Sequence, residues 1–298
     1  NNMLSTALLP LAHAYDAAQR IRTAIATPPA RAPTPVLCVG AAVAGGAGKT
    51  PLALAIAARL AATHPQYGVA FITRGYGGSS RQPTRVDAQT HSAVDVGDEP
   101  LLLASAAPTW VAASRWEAAV AACADEPMPS LLLMDDGLQH GTLLRDLSLL
   151  VVDSEYLLGN RRLLPAGPLR EPFERALART DAVVALSPVA SEECERLHAP
   201  PAEADLRASL CLPSSLPLLR AALRPVVADE MRLAGRRVVA FSGTARPWRF
   251  FNMLRVLGCE VVHESPLADH AVVPSSLLSA LRARASECGA TLVTTAKD

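Results

Sequence analysis

The sequence predicts an α/β protein: a doubly wound parallel sheet followed by a second, smaller α/β domain. Three observations predict it. From residue 36 onward, short apolar runs of strand length alternate with helical segments, the signature of a parallel sheet covered on both faces. The first run, Pro35-Val36-Leu37-Cys38-Val39-Gly40, leads through Ala44-Gly45-Gly46-Ala47-Gly48-Lys49-Thr50-Pro51 into an alanine-rich helix, so strand, glycine-rich turn and helix follow in order. Periodicity then weakens between Ser187 and Gly235, where prolines stand at 188, 200, 201, 213, 217 and 225, before it resumes. Such a stretch marks a connection between domains.

Taken in order, Met3 to Ile25 reads as one helix with Leu4, Leu8, Leu9, Leu11, Tyr15 and Ile21 opposite Gln19, Arg20 and Arg22. No basic segment precedes its apolar part, so it reads as an amphipathic surface helix rather than a secretory signal. It either lies on a membrane surface or packs on the protein's own core. After a proline-rich linker, Thr27 to Pro35, strands are expected at Val36–Val39, Val69–Thr73, Thr109–Ala112, Leu131–Met134, Leu149–Val152 and Ala182–Leu186. Helices are expected at Lys49–Ala62, Glu99–Ala106 and Arg115–Ala124, which is the doubly wound nucleotide-binding plan with loops gathered at the carboxyl ends of the strands. The second unit holds strands at Arg237–Ser242, Glu260–Glu264 and Thr291–Thr295 and helices near Arg246–Leu257 and Ser275–Glu287. The domain plan is a helix over residues 1–26, a nucleotide-binding domain over 27–200, a linker over 201–235 and a smaller domain over 236–298. The chain stops directly after a predicted strand, so a final element is expected to be missing.

Of 298 residues half are hydrophobic, and 28 acidic side chains balance 28 basic ones. Zero net charge and only 4% aromatic residues argue against nucleic acid as a partner. Six scattered cysteines with no C-x-x-C pair fit a reducing cytoplasm rather than a zinc site or a disulfide framework. No apolar run approaches the roughly 20 residues of a membrane span.

Chemistry begins at the glycine-rich turn. Backbone N–H groups of Gly45, Gly46, Ala47 and Gly48 converge at a helix start, where the dipole also favours an anion. In P-loop enzymes the lysine of such a turn, here Lys49, reaches the outer phosphates, and the following hydroxyl, here Thr50, ligates Mg²⁺. The first glycine of the usual pattern is replaced by Val43. Lys49 and Lys297 are the only lysines in the chain, and arginine does not substitute for a compact ammonium on equal terms.

The run Leu131-Leu132-Leu133-Met134 ends in Asp135-Asp136-Gly137, where a P-loop enzyme holds Mg²⁺. Two adjacent carboxylates repel unless a cation sits between them; as an alternative, either acid serves only as a cap. Gln139 and His140 follow on the same loop and face nucleotide or acceptor. Asp98 and Glu99 open a helix, where acids are ordinary capping residues; one as a general base and the other as a metal or lysine partner is the competing reading. Arg74-Gly75-Tyr76-Gly77-Gly78 offers a cation and an aromatic ring to an anionic or sugar ligand, or is a simple turn. Residues 165–172 hold three prolines, which fix a loop shape, while Arg170 offers a planar fork for phosphate oxygens and Glu171 lies beside it. Ala268-Asp269-His270 follows a strand of the second domain.

Together these segments resemble the tetraacyldisaccharide 4′-kinase family, the lipid A 4′-kinases of Gram-negative bacteria. The likeness rests on Leu8-Leu9-Pro10-Leu11, Gly45 to Pro51, Arg74 to Gly78, Val96-Gly97-Asp98-Glu99-Pro100, Asp135-Asp136-Gly137-Leu138-Gln139-His140, Leu164 to Pro172, Asp269-His270 and Thr294-Thr295-Ala296-Lys297-Asp298. Ala41 and Ala47 depart from it, standing where the family usually has asparagine and threonine. The resemblance implies ATP and Mg²⁺, a lipid acceptor reached from the cytoplasmic face of the inner membrane, and an active site between two domains. It also implies that Asp98 and His270 act together in deprotonating the sugar hydroxyl.

The expected reaction is transfer of the γ-phosphoryl of ATP to the 4′-hydroxyl of a tetraacylated glucosamine disaccharide 1-phosphate. Expected catalytic residues are Asp98, His270, Lys49 and Arg170. Gly45, Gly46, Ala47, Gly48, Lys49 and Thr50 bind nucleotide; Thr50, Asp135, Asp136 and Glu99 are the metal candidates; Arg74, Tyr76, Gln139, His140 and Glu171 meet the acceptor. The expected partners are the lipid disaccharide and the inner-membrane surface, reached peripherally through the first helix, with neither nucleic acid nor an obligate protein partner. The rival readings are a nucleotide-dependent switch or partitioning protein, which needs no acceptor base, and a cytosolic kinase of small molecules.

Overall fold

The structure, a computed structural model, describes residues 3–187, 202–225, 233–269, 271 and 273–297. It divides into two compact units, Asn1–Leu186 with Pro201–Ala221, and Ser187–Pro200 with Ala222–Asp298. The chain begins with α1 (Met3–Ala7) and α2 (Leu9–Ala24), then runs β1 (Val36–Gly40), α3 (Lys49–Thr63), β2 (Val69–Thr73), β3 (Thr84–Arg85), α4 (Ala93–Val96), α5 (Asp98–Ala104), β4 (Thr109–Val111) and α6 (Arg115–Cys123). There follow β5 (Leu131–Asp135), β6 (Leu147–Asp153), α7 (Phe173–Leu177), β7 (Ala182–Ser187), α8 (Glu203–Leu210) and β8 (Leu218–Ala222).

The first unit is built on an eight-stranded sheet in the order β3-β4-β2-β5-β1-β6-β7-β8. Strands β4, β2, β5, β1, β6 and β7 run parallel, and β3 joins β4 antiparallel. Apolar residues in the central strands are continuous because both faces are covered. On one face Cys38, Ile72, Leu132 and Met134 pack with Ala118, Ala119 and Ala122 of α6; on the other, Leu150, Val152 and Val183 pack with Phe173 and Ala176 of α7. Leu132, Leu133 and Met134 are fully buried, and each such side chain contributes roughly 1.5–3 kcal/mol. That makes β5 a rigid base for the acids at its end.

Besides the short β3, α4 and α7, which were not expected, two regions differ from the expectation. The first helix is broken at Leu8, and α2 takes Pro10 in its first turn, where no N–H is needed. Residues 203–222, within the stretch read as a linker, form α8 and β8, and β8 extends the main sheet next to β7. The prolines there flank the elements rather than abolish them, and Leu206 and Leu210 of α8 are buried.

The second unit is a three-stranded sheet ordered β10-β9-β11, with β9 (Arg237–Ser242), α9 (Pro247–Val256), β10 (Glu260–Pro266), α10 (Ser275–Glu287) and β11 (Thr291–Val293). Its strands are parallel. Val238 and Ala240 pack with Phe251 and Leu254 of α9, while the alternate residues Val239 and Phe241 pack with Leu281 and Ala285 of α10. No helix among the described residues is long and apolar enough to cross a membrane.

Asp146 fastens the entry to β1: Oδ2 accepts from the Val36 N–H at 2.9 Å and Oδ1 from Arg31 at 2.6 Å. These bonds, the Val36 amide first, hold its carboxyl below the ordinary value. A depressed folded-state pKa stabilises above the unfolded value of about 3.9 and loses that contribution as pH falls through the folded one. Asp146→Asn is therefore expected to lower the urea midpoint at pH 7, with the gap from wild type closing progressively below about pH 4.

Candidate active site

The parallel order β4-β2-β5-β1 sets the carboxyl ends of four strands side by side, and each end delivers one part of the site. After β1 the chain turns through Gly45, Gly46 and Gly48, all at positive φ (70°, 52° and 86°). Only glycine adopts that geometry without strain, and Gly48 caps α3 in the left-handed conformation. The incoming leg of this turn pairs with the proline-rich segment: Ala44 N–H donates to Pro168 at 2.8 Å and Arg170 N–H to Ala42 at 2.8 Å. Ala41, Ala42, Val43 and Ala47 are buried with Leu138 and Leu169, so the turn is anchored from below while its amides head α3.

Lys49 and Thr50 begin α3, and both are buried rather than open to solvent. The lysine Nζ lies 3.5 Å from Asp136 Oδ1. Thr50 Oγ1 donates to Asp135 Oδ2 at 2.9 Å. The two neighbouring acids thus take different partners. Asp135, the last residue of β5, is fully buried, and its Oδ1 has no hydrogen-bond partner. Burial, then the Glu99 and Asp136 charges, raise its carboxyl to about 7 against the pull of Lys49 and the Thr50 hydroxyl. Asp136 sits at φ 51° and accepts from Arg170 Nη1 at 2.7 and 2.8 Å through its two oxygens. Burial alone would raise its carboxyl; Lys49, Arg170 and Arg115 outweigh burial and hold it below the ordinary value.

Arg170, expected to offer its fork to phosphate, therefore grips Asp136. Gln139 is fixed by donating Nε2 to Ala41 at 3.0 Å and to Glu171 at 2.9 Å, and the buried Glu171 also accepts from Arg179. His140 is pushed down to about 4 by burial and by the charges of Arg115 and Arg74, so its ring is neutral at neutral pH. Thr142 lies 3.2 Å from its Nδ1.

Asp98 opens α5, and its Oδ1 accepts from Glu99 N–H at 2.9 Å. That helix packs on α3, β2 and β4, which brings Glu99 near enough to act on Asp135. The loop after β2 lies against the turn before α5, because a Cβ on Gly97 (φ +93°) would come within 2.6 Å of the Tyr76 carbonyl. Arg74 and Tyr76 are exposed on this loop beside Asp98. In the second unit Asp269 lies 3.4 Å from Lys297, and His270 falls outside the described residues. Two groups escaped the sequence reading. Arg179 supports Glu171, and nothing local marks it. Arg115 was read only as a helix start, although it stands at the end of the short turn from the carboxyl end of β4 into α6.

Amides converging at a helix N-terminus serve an anion, and here a lysine, a threonine and an acidic strand end surround the same point. Fold and site together define the P-loop class of nucleotide-dependent enzymes. Within that class the chain belongs to the tetraacyldisaccharide-1-P 4′-kinase family, whose model matches residues 4–298. It is 45% identical over 291 residues to a tetraacyldisaccharide 4′-kinase of Parvibaculum lavamentivorans, covering 98% of this chain and 80% of that one. With the enzyme of the same name from Nitrobacter winogradskyi it shares 44% identity over 301 residues, 100% of this chain and 83% of the other. Its fold is similar to the crystal structure of LpxK from Aquifex aeolicus in complex with ATP, with a TM-score of 0.72 and 26% identity over 99% of this chain and 89% of that chain.

Proposed function

We propose that this chain transfers the γ-phosphoryl group of ATP to the 4′-hydroxyl of a tetraacylated glucosamine disaccharide 1-phosphate, a step of lipid A biosynthesis. One observation carries the reading: a phosphate cradle stands beside a buried acid, Asp135, one of whose oxygens binds Thr50 while the other has no partner. Family membership and the likeness to an ATP-bound kinase support the choice of donor and acceptor.

Phosphoryl transfer asks mainly for positioning and charge neutralisation. The amides of residues 45–50 hold the phosphates, and Lys49 reaches the outer ones by exchanging or sharing its contact with Asp136. Arg170 stays behind and keeps Asp136 balanced. Among the described residues no group of three His, Cys, Asp or Glu side chains could hold a metal ion. Mg²⁺ does not need one, since it keeps several waters and binds through one or two protein groups beside substrate phosphates. Thr50 and Asp135 would fit that demand, because the buried Oδ1 of Asp135 would gain the partner it lacks; Asp136 and Glu99 would serve the ion through its waters. When bound, the ion neutralises charge on the β- and γ-phosphates.

Asp98 accepts the proton of the acceptor hydroxyl, with His270 supporting it. Arg74 and Tyr76 meet the sugar or its phosphate, His140 offers a neutral ring, and Gln139 with Glu171 shapes the acceptor side of the cradle. The direct test is transfer of labelled γ-phosphate to a defined tetraacyl disaccharide 1-phosphate. Label appearing on the 4′ position is the expected result; ATP turnover with no labelled lipid would overturn the assignment.

The acceptor is a membrane lipid, and α1 and α2 give the enzyme a means of reaching the cytoplasmic face of the inner membrane as a peripheral protein. One side of this segment is tied to its own unit, through Ser5 to the Ala166 carbonyl at 2.5 Å and Asp16 to Arg175 at 3.0 Å. Met3, Leu4, Leu11, Ile21 and Ile25 remain exposed. Each apolar side chain is worth roughly 1.5–3 kcal/mol on full burial, and interfacial burial is partial; arginines add a salt-sensitive attraction to anionic lipid. The intact chain is expected to co-sediment with anionic liposomes and to be partly released by high salt, whereas a chain beginning at Ala26 stays in the supernatant. Unchanged binding after deletion would assign the lipid-facing surface elsewhere.

A further inference from the structure

Arg115 is the first residue of α6, behind its cap Ser114, and stands four residues past the end of β4. It is 3% exposed, and both its Nε and its Nη1 are buried with no hydrogen-bond partner. Three costs meet at this side chain. A guanidinium has left water without an ion pair, two of its three nitrogens have no hydrogen-bond partner, and the positive pole of α6 opposes a cation in its first turn. A residue needed only for packing would not carry a charge here.

The nearby acids are committed elsewhere. Asp136 is held by Lys49 and Arg170, and Asp135 accepts from Thr50. Arg115 is nevertheless within reach of their fields. Burial lowers its pKa to about 10, with Asp136 and Asp135 opposing that shift and Arg74 adding to it, so it stays a cation at neutral pH. It acts in turn on His140 and Asp136. A buried guanidinium, a second one on Arg74 and the acid-tipped end of β5 thus act on one region, where the Lys49 ammonium also lies, 3.5 Å from Asp136.

We propose that Arg115 is a catalytic residue that binds the oxygens of the phosphoryl group as it passes from ATP to the acceptor. The assignment rests on the phosphoryl-transfer reading above. In the step, the bond from the γ-phosphorus to the β–γ bridging oxygen breaks, and ADP departs with that electron pair. The acceptor oxygen bonds to the same phosphorus, and its proton passes to Asp98. Arg115 forms no covalent bond. It supplies a planar pair of N–H donors to oxygens that carry the charge of the moving group, a geometry that lysine cannot reproduce. The free enzyme already bears the unpaired donors, and because Nε and Nη1 are shielded from solvent the side chain or its cover shifts to meet the group, after which the donors gain the partners they lack.

The test compares the full chain with Arg115→Gln and Arg115→Lys, measuring affinity for ADP with magnesium, with and without aluminium fluoride as a mimic of the phosphoryl group in flight. Fluoride should tighten ADP binding in wild type. In Arg115→Gln that tightening should fall by about 10²-fold and kcat by about 10³-fold, the scale of a transition-state arginine, while affinity for ADP alone and KM for ATP stay within a few-fold. Arg115→Lys keeps the charge and decides the matter if the glutamine variant does not fold; it should lose about tenfold or more of the tightening. Fluoride-dependent tightening at wild-type strength in either folded variant would overturn the proposal and make Arg115 structural. Absence of tightening in wild type itself would instead count against the phosphoryl-transfer reading.

Discussion

Lys49→Ala is expected to lower phosphoryl transfer to the lipid disaccharide by about 10²- to 10³-fold, the cost of deleting one charge-stabilising donor, while the chain stays folded. The lysine is 3.5 Å from Asp136, but that carboxylate keeps both of its bonds to Arg170 after the substitution. No acid is left stranded, so the usual penalty for breaking a buried ion pair is largely avoided. The loss therefore appears in turnover and nucleotide affinity rather than in the urea midpoint. Lys49→Arg should not restore activity, because a planar fork on a longer stem does not fit a cradle built for an ammonium. Wild-type turnover in the alanine variant would remove the glycine-rich turn from the mechanism.

Asp98→Ala should lower kcat by about 10²- to 10⁴-fold, the range of general-base catalysis, with ATP affinity nearly kept. Asp98 heads α5 rather than the nucleotide turn, and the bond it accepts from Glu99 N–H lies within its own helix start. Replacing His270 in the Asp98→Ala background should then cost little more, since groups that act as a unit are not additive. Losses that multiply would mean that the two residues contribute separately. The same pair of variants separates a kinase from a nucleotide-dependent switch, which has no acceptor hydroxyl to deprotonate.

Much of the site was legible because its signals are local. A strand, a glycine-rich turn and a helix start within residues 36–50 make a cradle wherever they occur, and Gly45, Gly46 and Gly48 do take the positive φ that the turn demands. The acids after Leu131-Leu132-Leu133-Met134 could be placed at a strand end from the apolar run alone. Their division of labour could not. Asp135 and Asp136 are adjacent, yet one turns to Thr50 and the other, at φ 51°, to a lysine and an arginine. The charge type of Arg170 is visible in sequence, but its partner Asp136, 34 residues away, is not. Arg115 was passed over for the converse reason: burial of an arginine without a partner leaves no trace in a local pattern.

By itself the sequence determined the α/β alternation, the glycine-rich turn, the acidic strand end and the family, since each depends on residues close together along the chain or on their order. Tertiary structure alone decided the strand order that gathers four carboxyl ends, the placing of residues 203–221 in the first unit, and which charge faces which. The physical reason is range. Backbone geometry and apolar period act over a few residues, whereas the ionisation and partner of a buried side chain depend on groups brought to it by the fold across tens of residues of chain.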